Sequence, residues 1–192
     1  MSQPTVAVFD VLRMAEDTPK HGLFAIKTLP GHQKLFFGIK KEDPNSGVFC
    51  SLWTSLEDAQ YYVSKSILPN KVSTLLFEFD VNCDPLVPLM APCTEGFTGF
   101  GAEEGFEGNV KRFLEAVDGE RVSLKGYYGG VVGVGVGKDE GGGIVRLLLG
   151  WESVEAHGEA KAVEEGVILR NIHELRSLRR EVELFHVEFR EV

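Results

Sequence analysis

Cysteine, basic charge and long apolar runs are all scarce in this chain, and each scarcity excludes a class of protein. Three cysteines, Cys50, Cys83 and Cys93, stand in 192 residues. Their number is odd and no two share the C-x-x-C spacing of a metal clip, so neither a disulfide framework nor a metal site is expected. Cys50 lies in an apolar stretch and reads as a small core residue. Lysine and arginine number 20 against 29 acidic residues, a net charge of -9. A nucleic-acid binder needs a basic face to neutralise phosphates, and a protein on anionic lipid needs a basic patch; this balance argues against both partners. No stretch reaches the roughly 18 apolar residues of a membrane span. The N-terminus, Met1-Ser2-Gln3-Pro4-Thr5, has no basic segment followed by an apolar run. The expectation is a cytoplasmic globular protein with no nucleic-acid or membrane partner.

Nucleotide signatures are missing too. Gly133, Gly135 and Gly137 alternate with Val132, Val134 and Val136. A phosphate loop would need Gly at 132 and Ser or Thr at 139, where Val and Asp stand, and Lys138 breaks G-x-G-x-x-G. The run reads instead as a strand with one face stripped of side chains. Such a face admits either another backbone or a flat ligand, which makes Gly133 and Gly135 candidate substrate-binding positions. No Ser-His-Asp, metal or nucleotide signature emerges, and no metal or other cofactor is expected.

What the chain does contain is a repeated grammar. Val48-Phe49-Cys50-Ser51-Leu52-Trp53-Thr54-Ser55-Leu56-Glu57 reads as a strand ending in Trp, then a Ser opening a helix; Arg146-Leu147-Leu148-Leu149-Gly150-Trp151-Glu152-Ser153-Val154-Glu155 repeats it. Phe36-Phe37-Gly38 and Tyr127-Tyr128-Gly129 precede the two copies, and Phe77-Glu78-Phe79 and Val187-Glu188-Phe189 close them. In the first copy, strands are expected over 5–11, 34–41, 48–53 and 72–81, and helices over 18–29 and from Ser55 to about Ile67. Ser55 stands as an N-cap, with Glu57 and Asp58 at the positive helix end. The turn Glu42-Asp43-Pro44-Asn45-Ser46-Gly47 joins a hairpin. In the second copy, Phe106, Val110, Phe113, Leu114 and Val117 trace an amphipathic helix. Strands are expected over 93–100, 124–137, 144–151 and 182–189, with a turn at 139–143. Ser153 caps a helix that Gly166 breaks, and a further helix runs over 167–179 with Ile168, Ile172, Leu175 and Leu178 inward.

Each copy has the order β-α-β-β-α-β, the ferredoxin-like unit. The predicted fold is therefore α+β: a first ferredoxin-like repeat over 1–82, a proline-rich linker over 83–91 and a second repeat over 92–192. A four-stranded antiparallel sheet with helices on one face must cover the other. Two sheets face to face do so within one chain, as a pseudo-dimeric α+β barrel enclosing a space; a further homodimer is compatible with this.

His32-Gln33-Lys34-Leu35-Phe36-Phe37-Gly38, Leu52-Trp53-Thr54-Ser55-Leu56-Glu57, Gly150-Trp151-Glu152-Ser153-Val154-Glu155-Ala156-His157, Asn171-Ile172-His173-Glu174-Leu175 and Phe185-His186-Val187-Glu188-Phe189 together resemble the dimeric α+β barrel superfamily. Within it they resemble the antibiotic-biosynthesis-monooxygenase-like group and its two-repeat fungal members. The superfamily includes cofactor-free quinone-forming monooxygenases, haem-degrading enzymes, cyclases and stress-response proteins, and fold alone does not choose among them. The resemblance implies a cofactor-independent monooxygenase acting on a small hydrophobic or aromatic, polyketide-like molecule. The alternative is a small-molecule-binding or stress-response protein with no competent site. In haem-degrading relatives a His after the Trp-Ser-Glu motif binds iron, and His173 matches it best. Those relatives also carry a Trp about ten residues earlier, where this chain has Val163, and that departure speaks against haem.

Candidate acid–base residues are His186, His173 and Tyr127. In Leu184-Phe185-His186-Val187-Glu188-Phe189, the odd set is expected to face the helices and the even set the cavity or its rim. An imidazole there titrates near neutral pH. Trp151, His157 and Trp53 join Gly133 and Gly135 as candidate substrate-binding residues, with packing at the helix–sheet junction the alternative for both Trp side chains. The first copy has Ala59 where the second has His157, so activity is expected within residues 92–192.

Overall fold

Strands with apolar residues on both faces need cover on both sides. This chain provides it by curling one antiparallel sheet around an aromatic interior and packing helices outside. The computed structural model describes residues 6–14, 20–80, 82–136 and 143–192. Its elements are β1 (Val6–Arg13), α1 (Lys20–Lys27), β2 (His32–Ile39), β3 (Ser46–Trp53), α2 (Leu56–Lys65), β4 (Lys71–Phe79), α3 (Leu86–Leu89), β5 (Cys93–Ala102), α4 (Phe106–Gly119), β6 (Tyr127–Gly135), β7 (Gly143–Trp151), α5 (Val154–Ala162), α6 (Val167–Asn171), a 3₁₀ turn (Ile172–Leu175), β8 (Glu181–Val187) and β9 (Arg190–Glu191). The expected turn at 139–143 falls mostly outside the described residues.

Local chemistry explains the element ends. The Ser55 hydroxyl accepts from the Asp58 N–H and the Ser153 hydroxyl from the Ala156 N–H, each at 3.1 Å, satisfying donors the first helical turn leaves free. Asp43 holds the β2–β3 turn, accepting from the Asn45 N–H and the Ser46 hydroxyl. One expectation differs. The helix expected over 167–179 stops at Asn171 and tightens into the 3₁₀ turn, and Leu178 takes a φ of 56° that no helix accommodates. The expected linker over 83–91 contains α3, whose fully buried Leu89 packs into the barrel interior.

The strands lie in the order β8-β5-β7-β6-β4-β1-β3-β2-β9. Strands from residues 6–79 therefore read β4-β1-β3-β2, and the first four from the second half repeat that connectivity as β8-β5-β7-β6. The halves join edge to edge at two seams. At the first, β4 pairs with β6 through Phe77 opposite Gly135 and Phe79 opposite Gly133. A Cβ at Gly133 would lie 2.9 Å from the Phe79 ring, and one at Gly135 2.8 Å from Ile144. The stripped face thus admits neighbouring side chains of the core.

The second seam closes the barrel. β9 pairs with β2, Lys40 bridges to Val187, and the Lys41 N–H donates to the His186 carbonyl at 2.8 Å. Gly38 is required here, because a Cβ would collide with the Val187 side chain and the Glu188 carbonyl. The two sheets are therefore one continuous sheet, not two separate layers face to face. Edge pairing satisfies backbone groups that face-to-face packing would leave open.

The enclosed space is filled by Phe9, Phe36, Phe77, Phe79, Leu148, Phe185 and their neighbours. Arg146 lies among them, 1% exposed, with its guanidinium 4.5 Å from the Phe9 ring centre and 4.7 Å from that of Phe77. It donates to the Thr98 hydroxyl at 2.8 Å and pairs with Glu183 at 3.3 Å. Burial lowers its pKa to about 10, which leaves it charged at neutral pH. Separate cores sit between sheet and helices in each half. Among the described residues, no helix is long and apolar enough to cross a membrane.

Candidate functional site

The barrel interior is packed, and the candidate site lies on the other face of the sheet, in the second half. An apolar pocket of about 190 Å³ opens between β5, β7 and β8 and the layer formed by α4, α5, α6 and the 3₁₀ turn. Phe97, Phe113, Leu147, Leu149, Ile168 and Leu175 form its walls, Glu95 and His157 bring polar atoms to it, and Lys161, Arg176 and Arg179 add positive charge.

Strand alternation accounts for the position of Glu95. On β5, Cys93, Glu95 and Phe97 face the helices, while Thr94 and Thr98 face the barrel. Glu95 is 7% exposed and pairs in register with His186 of β8. Its carboxylate accepts from the Trp151 indole N–H at 3.1 Å and lies 3.3 Å from His157 Nε2. His157 stands four residues after the Ser153 cap, so the first turn of α5 turns its ring inward between Trp151 and His186. His157 Nδ1 lies 3.0 Å from His186 Nε2, and His186 Nδ1 lies 2.6 Å from Glu42 Oε1. Glu42, in the β2–β3 turn, also accepts from the His186 backbone N–H. One chain of contacts thus runs Trp151–Glu95–His157–His186–Glu42, from pocket to surface.

Burial sets the charge states. Desolvation raises the Glu95 pKa, and the nearby His186 charge and the Trp151 hydrogen bond only partly oppose it. Burial, followed by the neighbouring His186 and Lys161 charges, lowers His157 to about 4, so its imidazole is neutral at pH 7. At Glu42 desolvation acts upward, but the hydrogen bonds from His186 outweigh it and hold the carboxyl below its usual range. Glu95, His157 and His186 bring one ligand atom each within 4.8 Å of one another. The two ring nitrogens of His157 face different neighbours, Nε2 toward Glu95 and Nδ1 toward His186.

The even set of β8 does face this site, but the expected assignment of faces is reversed. Phe185 and Val187 point into the barrel, and Val182, Leu184 and His186 point toward the helix layer. Alternation divides a strand into two sets without saying which is inside, and here both faces are covered. The structure brings His157, His186 and Trp151 together. His173 lies apart, its side chain 70% exposed and its Nδ1 3.0 Å from the Arg170 carbonyl. Tyr127 packs against Trp151 and donates to Asp118 at 2.7 Å, and burial pushes its phenol pKa far up. Trp53 is fully buried in the first half, stacked on Tyr62 and donating to Ser51. Gly133 and Gly135 belong to the seam. Sequence reasoning missed Glu95, Glu42 and Arg146. A lone acid in Cys93-Thr94-Glu95-Gly96-Phe97 and a lone base in Ile144-Val145-Arg146-Leu147 were the available signals.

The first half shows what the same scaffold does without these groups. Val6 pairs with Trp53 as Cys93 pairs with Trp151, which places Val8 where Glu95 stands. Val8 pairs with Leu76 as Glu95 pairs with His186, and Ala59 follows its serine cap by the same four residues as His157. Val8, Ala59 and Leu76 are all apolar. The fold therefore does not need the polar chain.

No family model and no curated protein matches the sequence. Solved structures do match in fold. An anthrone oxidase-like protein superposes with a TM-score of 0.69 at 14% identity, over 98% of this chain and 94% of the other. A candidate monooxygenase from Lactobacillus acidophilus NCFM gives 0.60 at 8% identity, over 97% and 94%. Chlorite dismutase from Candidatus Nitrospira defluvii gives 0.58 at 12% identity, over 97% and 92%. Identities this low establish fold alone, and the curled antiparallel sheet with helices outside is the dimeric α+β barrel fold of these proteins.

Proposed function

We propose that this chain is a monooxygenase-like enzyme built from two tandem ferredoxin-like repeats, 1–82 and 92–192, joined by 83–91. It acts in the cytoplasm on a small hydrophobic or aromatic molecule, without metal or nucleotide. The matching strand orders of the two halves support the repeats. The names of the structural neighbours point toward oxygen chemistry. The observation that carries the reading is the buried Glu95–His157 pair opening onto an apolar pocket.

A substrate with an activated CH2 group beside an aromatic ring fits this site. The Glu95 carboxylate takes a proton from the CH2, and the carbanion reacts with O2. One oxygen atom remains as a carbonyl; the other leaves as water with the two hydrogens of the CH2. The four electrons lost by carbon reduce one O2 completely, so no external reductant is needed. Lys161, Arg176 and Arg179 suit a substrate bearing a phenolate or carboxylate. A second reading, a binding protein without chemistry, is favoured by the solid aromatic packing of the barrel interior.

Oxygen uptake with hydroxylated polyketide-like phenols, anthrones included, tests the proposal. Wild type should consume O2 and Glu95→Gln should not. Binding of these compounds with no uptake by any of them selects the second reading and sinks the enzyme.

A further inference from the structure

The pocket pair is the inner end of a longer line. Glu95, His157, His186 and Glu42 make three successive contacts, at 3.3, 3.0 and 2.6 Å. The first three residues are each less than a tenth exposed, whereas the Glu42 side chain is 44% exposed. Each contact needs one hydrogen. With one N–H on each imidazole two are supplied, so the line is complete when it holds one proton more.

That proton has two consistent homes. With Glu95 protonated, its O–H donates to His157 Nε2, His157 Nδ1–H donates to His186 Nε2, and His186 Nδ1–H donates to Glu42. With Glu42 protonated, every bond runs the other way and Glu95 is ionised. Passing between the two states moves one hydrogen across each contact and shifts both imidazole tautomers, with no side chain displaced. We propose that Glu95, His157, His186 and Glu42 form a proton relay carrying one proton between the pocket and solvent, with Glu42 of the first half as its outer terminus.

Two further observations support this. The scaffold closes without such a line in its other half, where Val8, Ala59 and Leu76 occupy the corresponding positions. Glu42 also comes from the other half, held at the seam by its bonds to the His186 backbone N–H. The first half is thus more than scaffold. Among the described residues, the other groups within electrostatic reach include Lys161 on α5, the Tyr127 phenol near Glu95, and the Cys93 thiol near both glutamates, with Lys41 and Glu155 near that thiol. The use of the relay as a proton exit rests on the pocket reading above, whereas its existence does not.

The test is a pH titration of the full-length chain by NMR, with labelled histidine ring nitrogens and glutamate carboxyls. In wild type, the His157 ring proton should move from Nδ1 to Nε2 as Glu95 ionises, with the His186 signals changing at the same midpoint. Glu42→Ala should shift the His157 proton toward Nε2, because Glu95 becomes the only carboxylate on the line. Glu42→Gln retains an acceptor for the His186 backbone N–H and should give the same shift, separating the relay from loosening of the seam. In a His157→Ala background, Glu42→Ala should move the Glu95 midpoint less than it does with His157 present. A His157 proton that ignores both Glu42 variants, or an effect on Glu95 that is equal with and without His157, overturns the relay. The titration needs no substrate, so absent oxygen uptake leaves it intact, and a failed relay leaves the oxygenase reading to its own assay.

Discussion

Replacing His157 by alanine should change stability in a strongly pH-dependent way. Its folded-state pKa of about 4 lies below the ordinary value of 6.5. The folded state therefore holds His157 neutral where the unfolded chain would protonate it. The sign follows: stability from the neutral ring is fully present above pH 6.5 and is lost as the pH falls toward 4. At about 1.36 kcal/mol per tenfold step, the gap amounts to roughly 3 kcal/mol. At pH 7, His157→Ala also removes a ring packed between Trp151 and His186, and should cost about 2–3 kcal/mol. Alanine is tolerated locally, since Ala59 occupies the same place after the Ser55 cap. Urea denaturation of wild type and variant at pH 7, 6, 5 and 4 should show the two stabilities converging by about 3 kcal/mol. Curves that stay parallel to within about 1 kcal/mol would refute the argument that burial keeps this imidazole neutral.

Further outcomes follow from the packing. Arg146→Ala should cost about 2–5 kcal/mol by guanidinium denaturation, because it empties space among three phenylalanine rings, while Glu183 keeps its pair with Lys40. Arg146→Met, which refills that space, should cost clearly less. Gly38→Ala should lower stability by about 1–3 kcal/mol in thermal melts, since the closing seam must part to admit a Cβ. Ser153→Ala should cost about 1 kcal/mol, the usual worth of an N-cap bond, measured by chemical denaturation.

Short-range features were legible in the sequence. The caps Ser55 and Ser153, the hairpin turn at 42–47, the amphipathic α4 and the repeated strand–Trp–Ser–helix grammar each depend on residues within a few positions of one another. The helix over 167–179 was misread because Ile168, Ile172, Leu175 and Leu178 keep a helical spacing although the chain tightens after Asn171 and turns at Leu178. His173 looked functional through resemblance alone, and its side chain lies in solvent. The glycines at 133 and 135 signalled close approach; what approaches is Phe79 and Ile144.

The sequence by itself determined most of the strands, the caps and the amphipathic helix α4, because hydrogen-bonding periods and caps are local. It could not decide which face of β8 turns toward the helices, since a strand covered on both sides carries no mark of inside or outside. Nor could it assemble the line from Glu95 to Glu42. Glu42 and His186 are 144 residues apart and meet only because β2 and the segment after it close one barrel against β9 and the end of β8, at a seam where Gly38 lets the strands touch. Tertiary structure alone made that contact, and with it joined a turn of the first half to the pocket of the second.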